Sequence, residues 1–175
     1  MSTITVKNGI MAADGMNISM GYIDKKQVER IFRLEVKKYG EPDSEGYSEY
    51  ESSNIVYVGV VGNLHDCNSF IAWYINSSSI NEFKAYFDHD QINVSAIIYD
   101  SLRNEYTKYH NSPLFYPCSS ETAIGSGASF ALGAMKMGAE AVEAVLATSD
   151  LDPFTNKNVH YIRLCDNSTE LSYVN

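Results

Sequence analysis

The chain has 175 residues, 45% of them hydrophobic, and a formal net charge of −9. That length predicts one domain able to bury a sizeable core. The acidic balance argues against nucleic acid or an anionic membrane as a partner, and no apolar run reaches the ~18 residues a membrane span needs.

At the N-terminus, Lys7 and Asn8 interrupt any apolar region and no cleavage site follows. The expectation is a cytoplasmic protein without a signal peptide. Residues 3–14 read as two strands joined at Lys7-Asn8-Gly9, because Asn-Gly is a strong short-hairpin signal. The run Ile10 to Ala13 lacks polar alternation, as in a strand covered on both faces, and ends on Asp14. From Gln27 to Val36 the apolar spacing fits a helix or a strand. Residues 37–53 are polar and carry Glu41, Asp43, Glu45, Glu49 and Glu51. They predict an acidic surface insertion within the single domain, longer than most loops. Tyr39, Tyr47 and Tyr50 leave a second reading open, a lip over a cleft or a subunit contact.

Ile55 to Val61 is a strand that Gly62 breaks. Asn63 suits a helix N-cap, with Asp66 at the capping-box position. Phe70, Ile71, Trp73 and Tyr74 give the following helix a broad apolar face. Val94–Tyr99 and Tyr106–Tyr109 form a hairpin around Arg103-Asn104. Leu114–Tyr116 and Thr122–Ile124 are short strands that lead into Gly125-Ser126-Gly127. The apolar stretch Phe130–Ala147 predicts two helices divided near Gly138. Val159–Leu164 is a closing strand. This order lacks strict βαβ alternation and reads as α+β, with two mostly antiparallel sheets between helix layers.

Cys67, Cys118 and Cys165 have neither zinc-ligand nor redox-pair spacing and read as reduced thiols. His65, His89, His110 and His160 match no metal-ligand pattern. The 13 tyrosines read as sheet and interface residues. Neither a metal nor an organic cofactor is implied. Taken alone, Asp14 suits a strand end, Ser126 a helix N-cap and Asp152-Pro153 a turn.

Four segments in order carry more. They are Ser2-Thr3-Ile4, Ala12-Ala13-Asp14, Ala123-Ile124-Gly125-Ser126-Gly127-Ala128 and Asp152-Pro153-Phe154-Thr155-Asn156. The set resembles the proteasome β-subunit and HslV peptidase family of N-terminal-nucleophile hydrolases, most closely its small bacterial and phage versions. The resemblance runs from Ser2 to about Leu164 and is strongest at both ends. It implies a four-layer αββα sandwich and makes Gln27–Val36 a strand beside the nucleophile.

The resemblance also implies site roles. Once Met1 is removed, Ser2 carries both a nucleophilic hydroxyl and a free amine to act as its base, with an ordinary amine pKa of about 7.7–8.0. Ser stands where the family has Thr. Asp14 matches the site aspartate, and the catalytic lysine falls on Arg30. Arginine keeps the charge but cannot shuttle a proton as a neutral base. Ser126 matches the serine that bonds the amine. Asp152 and Thr155 match an Asp-x-x-Ser pair with Thr155 in the serine's place, while Asn156 stands where the family has glycine. Gly62 is the candidate oxyanion donor. Implied partners are peptide or protein substrates, a ring-type homo-oligomer and an ATPase unfoldase. Arg30 keeps a second reading open, a catalytically inactive subunit with a structural or interaction role. A virus-encoded inhibitor of host machinery is a third.

Overall fold

A computed structural model describes residues 2–19, 22–24, 28–39, 50–76, 80–87, 92–110, 114–164 and 172–174. β1 (Thr3–Lys7) and β2 (Ile10–Asp14) form the expected hairpin. Asn8 and Gly9 both take positive φ, 51° and 72°, as a tight twisted turn requires. A short ribbon follows, β3 (Asn17–Ser19) with β4 (Tyr22–Asp24), which the sequence reading did not include. β5 (Ile31–Tyr39), β6 (Tyr50–Gly62), α1 (Leu64–Asn76) and a 3-10 helix (Ile80–Tyr86) come next. Then come β7 (Val94–Asp100), β8 (Glu105–His110), β9 (Phe115–Pro117) and β10 (Thr122–Gly125). The chain continues with α2 (Ala128–Lys136), α3 (Ala141–Ser149), β11 (Val159–Arg163) and β12 (Ser172–Val174).

Two five-stranded antiparallel sheets result, in the orders β10-β1-β2-β11-β12 and β5-β6-β7-β8-β9. Their facing sides share one core. Ile4, Val6 and Met11 meet Tyr57, Val61 and Ile97 there. The outer face of the second sheet, through Val58, Val60, Ala96 and Ile98, packs on Phe70 and Trp73 of α1. The outer face of the first sheet packs on α2 and α3 through Ala12, Ala123, Ala131, Ala141 and Val145. This is the α+β fold in four αββα layers that the resemblance implied. It also explains β2: Met11 and Ala13 face the other sheet and Ala12 faces α3, so both faces are apolar.

The two helices divide at Gly138, whose φ is 108°. Lys7 reaches across from β1 and donates from Nζ to Met135 O and Ala139 O at 2.8 and 2.9 Å, near the C-terminal end of α2. Glu140 and Glu143 close a capping box on α3. Asn63 caps α1 by accepting the His65 N–H.

The 37–53 insertion needs correction at its ends. β5 runs on to Tyr39 and β6 starts at Tyr50, with Lys37 opposite Ser53 and Lys38 opposite Ser52. β-Pairing uses backbone groups that every residue carries, so a polar sequence gave no strand signal there. Residues 40–49 lie outside the described residues. Cys67 is a buried free thiol and Cys118 a half-buried one, while Cys165 lies outside the described residues.

Candidate active site

Ser2 enters β1 fully buried, beside the last residues of β10. Thr3 pairs with Gly125, and the Ser126 N–H donates to Ser2 O at 3.3 Å. Gly125 permits this approach. Its φ is +101°, and a Cβ there would lie 1.8 Å from Ser2 O.

Successive strand residues point to opposite faces, and the first two hydroxyls follow that rule. Ser2 Oγ donates to Met16 O at 3.2 Å. Thr3 Oγ1 lies with Thr155 Oγ1 at 2.7 Å and accepts the Gly127 N–H at 3.2 Å. Thr155 Oγ1 and Ser126 Oγ both donate to Asp152 Oδ2, at 2.7 and 2.6 Å. With the Thr155 proton on Asp152, Thr3 must donate to Thr155. The result is a directed chain, Thr3 to Thr155 to Asp152, with Ser126 arriving from the other side. Burial pushes the Asp152 carboxyl up, but the hydrogen bonds from Ser126, Thr155 and the Phe154 N–H outweigh it and hold it below the usual carboxylate range. Asp152 also accepts the Phe154 N–H through Oδ1, the contact an Asp-Pro turn makes. Ser126 is not the helix N-cap that its position suggested. Gly127 occupies that place and, as glycine, offers no side-chain cap, while the Ser126 hydroxyl is engaged by Asp152.

A second cluster surrounds Met16. Asp14 ends β2 with Oδ1 accepting the Thr3 N–H at 2.6 Å. Its Oδ2 accepts the Met16 and Asn156 N–H groups at 3.0 and 3.3 Å. Burial raises its carboxyl to about 6, against the opposing pull of those three N–H groups and the charge of Arg30. Arg30 is buried just before β5. Its Nη2 donates to Met16 O at 3.1 Å, the same carbonyl that Ser2 engages. Its Nη1 meets Cys67 Sγ at 3.7 Å, and its buried Nε has no hydrogen-bond partner. The expected Asp14–Arg30 pair is thus bridged by Met16 rather than direct. Burial pushes the Cys67 thiol up to about 11, so Arg30 faces a neutral sulfur.

His160 supports Arg30 from β11. Its Nε2 accepts the Arg30 backbone N–H at 3.0 Å, which places the ring proton on Nδ1. Burial and then the Arg30 charge push His160 down to about 4, so it stays neutral near pH 7.

Gly62 ends β6 with φ +138°, and a Cβ there would lie 2.0 Å from Asn93 O. Asn63 N–H bonds Asn93 O and Ser101 N–H bonds Ile55 O, so odd-numbered residues of β6 face β7 in the ladder. Val60 N–H bonds Arg30 O, so even-numbered residues face β5. Gly62 lies past the start of β5, and by this alternation its N–H points to the open edge there. Gly62 and Ser126 line one cavity of about 290 Å³.

The structure therefore gathers Ser2, Asp14 and Arg30 around Met16, and Ser126, Asp152 and Thr155 around one carboxylate oxygen. Thr3 and the Ser126 N–H join the two groups. Sequence reasoning missed Thr3 and His160. Strand alternation next to Ser2 was the signal that could have found Thr3. No local signal marks His160, because its partner Arg30 is remote in sequence.

No protein-family model matches the chain, and no curated protein does. Among solved structures, eukaryotic HslV from Trypanosoma brucei superposes with TM-score 0.63 at 17% identity, covering 93% of this chain and 98% of that one. BPH of Thiobacillus denitrificans, in complex with Epoxomicin, gives TM-score 0.61 at 18% identity over 93% and 98%. An Anbu (Gly-1) mutant from Hyphomicrobium sp. strain MC1 gives 0.68 at 10% identity over 99% and 88%. At these identities the likeness establishes the fold alone: the chain has the αββα fold of HslV and proteasome-like N-terminal-nucleophile hydrolases.

Proposed function

We propose that the chain is an N-terminal-nucleophile peptidase of the HslV and proteasome-like kind, of the small bacterial or phage type, with Ser2 as nucleophile after loss of Met1. The observation that carries this reading is the hydrogen-bonded chain Thr3–Thr155–Asp152–Ser126, whose Ser126 N–H meets Ser2 O. It supports a fixed position for the Ser2 backbone, where the new amine would form.

In the proposed reaction the neutral α-amine takes the Ser2 hydroxyl proton, and Oγ attacks the carbonyl carbon of a peptide bond. The Gly62 N–H is suited to stabilise the resulting oxyanion. The ammonium then gives its proton to the leaving nitrogen, and the C–N bond breaks. A water, deprotonated by the same amine, releases the acyl group from Ser2. Arg30 supplies charge, not a proton: it disfavours the ammonium and keeps the amine neutral near pH 7. Asp14 anchors Thr3 and balances Arg30. The residues require no metal or cofactor for these steps. By analogy with the fold relatives, we place the chain in a cytoplasmic ring-type homo-oligomer that receives peptides or unfolded proteins, with an ATPase unfoldase as the feeding partner.

A second reading, an inactive subunit with a structural or interaction role, draws on Arg30 and on the full burial of Ser2. Peptide cleavage separates the two. The peptidase reading predicts turnover by the wild type and by Ser2→Thr, and none by Ser2→Ala or Asp152→Asn. Equal turnover by wild type and Ser2→Ala would end it.

A further inference from the structure

His160 has no part in the chemistry above, yet its ring holds Arg30 to the first sheet. We infer that His160 is a positioning residue: it fixes the backbone of Arg30 so that the guanidinium stays on Met16 O, the carbonyl that also receives the Ser2 hydroxyl. The inference rests on the reading of Ser2 as the nucleophile.

The main chain of Arg30 is clamped between the two sheets. Its C=O accepts the Val60 N–H of β6 at 2.8 Å, and its N–H donates to His160 Nε2 of β11 at 3.0 Å. In the β2–β11 register His160 lies opposite Ala13, one residue before Asp14. A side chain of the sheet that carries Asp14 and the start of β1 thus reaches across to the residue that opens β5. His160 and Arg30 are both buried, so bulk water does not replace the acceptor that the ring provides.

The far end of Arg30 is held more loosely. Nη2 donates to one neutral carbonyl, Nη1 faces a neutral thiol at 3.7 Å, and the buried Nε has no hydrogen-bond partner. A long side chain with so few partners takes its position from where its backbone is held. Met16 O accepts from both Arg30 Nη2 and Ser2 Oγ, at 3.1 and 3.2 Å. A shift of the Arg30 backbone is therefore passed on to the attacking hydroxyl. Only a neutral ring with its proton on Nδ1 can accept at Nε2, and burial keeps the imidazole neutral.

The tests separate positioning from stability. His160→Phe removes the acceptor and keeps an aromatic ring. His160→Gln returns an acceptor near the place of Nε2. Phe83→Leu loosens the packing of the 3-10 helix on Trp73 instead. Peptide cleavage is resolved into kcat and KM, and labelling of Ser2 by a small β-lactone is followed in parallel. His160→Phe should lower kcat and the labelling rate by about tenfold or more, with KM changed by less than about twofold. His160→Gln should restore most of both. Phe83→Leu should lower the melting temperature and leave kcat unchanged. Two NMR observations work whether or not the chain turns over. The ring nitrogen shifts of the wild type should show His160 Nε2 without a proton. The Arg30 Nε–H resonance should move or broaden in His160→Phe and keep its place in His160→Gln. A proton on His160 Nε2, an unmoved Arg30 resonance in His160→Phe, or an equal loss of kcat in Phe83→Leu overturns the inference. An unlabelled wild type whose Arg30 resonance still follows His160 overturns the nucleophile assignment and leaves His160 as the residue that positions Arg30.

Discussion

Ser2 and Thr3 are neighbours with hydroxyls on opposite faces of one strand, and each serves a different cluster. Thr3 is fully buried and holds Thr155 through its side chain and Asp14 through its N–H. Thr3→Val keeps the shape but leaves the Gly127 N–H without its acceptor, a loss of about 1–3 kcal/mol. We expect a lower melting temperature and slower labelling of Ser2, both restored by Thr3→Ser and neither accompanied by Met1 retention. A variant with wild-type labelling would remove Thr3 from the network's function. Asp14 and His160 set opposing acid responses. Asp14 titrates at about 6 when folded, above its unfolded value, so its stabilising effect is complete below pH 4 and is lost as pH rises through 6. His160, pushed down to about 4, stabilises above the usual histidine range, and that effect is lost as pH falls through 4. Asp14→Asn removes only the first. Its urea midpoint should therefore fall more steeply than that of the wild type between pH 6.5 and 4.5. Parallel midpoint curves would contradict the assigned shift.

Elements bring these residues together, and some were easier to read than others. The Asn8-Gly9 turn, the strand run Ile55–Val61 and the helix break at Gly138 each rest on local chemistry, and the structure has them where the residues put them. β2 was legible because a strand covered on both faces shows no alternation. The ends of the insertion were not, since Lys37, Lys38, Ser52 and Ser53 sit in a ribbon held by backbone pairing. For the site, the ordered motifs were visible but the partners were not. That Met16 joins Arg30 to Ser2 and Asp14 follows from the path after β2, which no side-chain type specifies. At Gly125, β10 comes close against the start of β1. Gly125→Ala would strain a positive φ and drive Cβ into Ser2 O, costing on the order of 3 kcal/mol. It should lower the urea midpoint clearly and abolish labelling. Full labelling of a stable Gly125→Ala protein would show that this contact does not position Ser2.

At the scale of the whole molecule, Ser2 lies fully buried at the start of β1, beside β10. On the proposed reading, we expect Met1 to be removed before the fold closes around Ser2. Methionine aminopeptidase added during refolding should expose Ser2, and the same enzyme added to folded protein should not. The central claim is that Ser2 is an N-terminal nucleophile, and its most direct test is intact-mass spectrometry of protein from the native source, before and after a β-lactone probe. The account predicts a chain lacking Met1 that gains one probe mass on Ser2, and no gain for Ser2→Ala. A homogeneous folded chain that retains Met1 and takes no probe would contradict it and make this αββα protein a non-catalytic subunit.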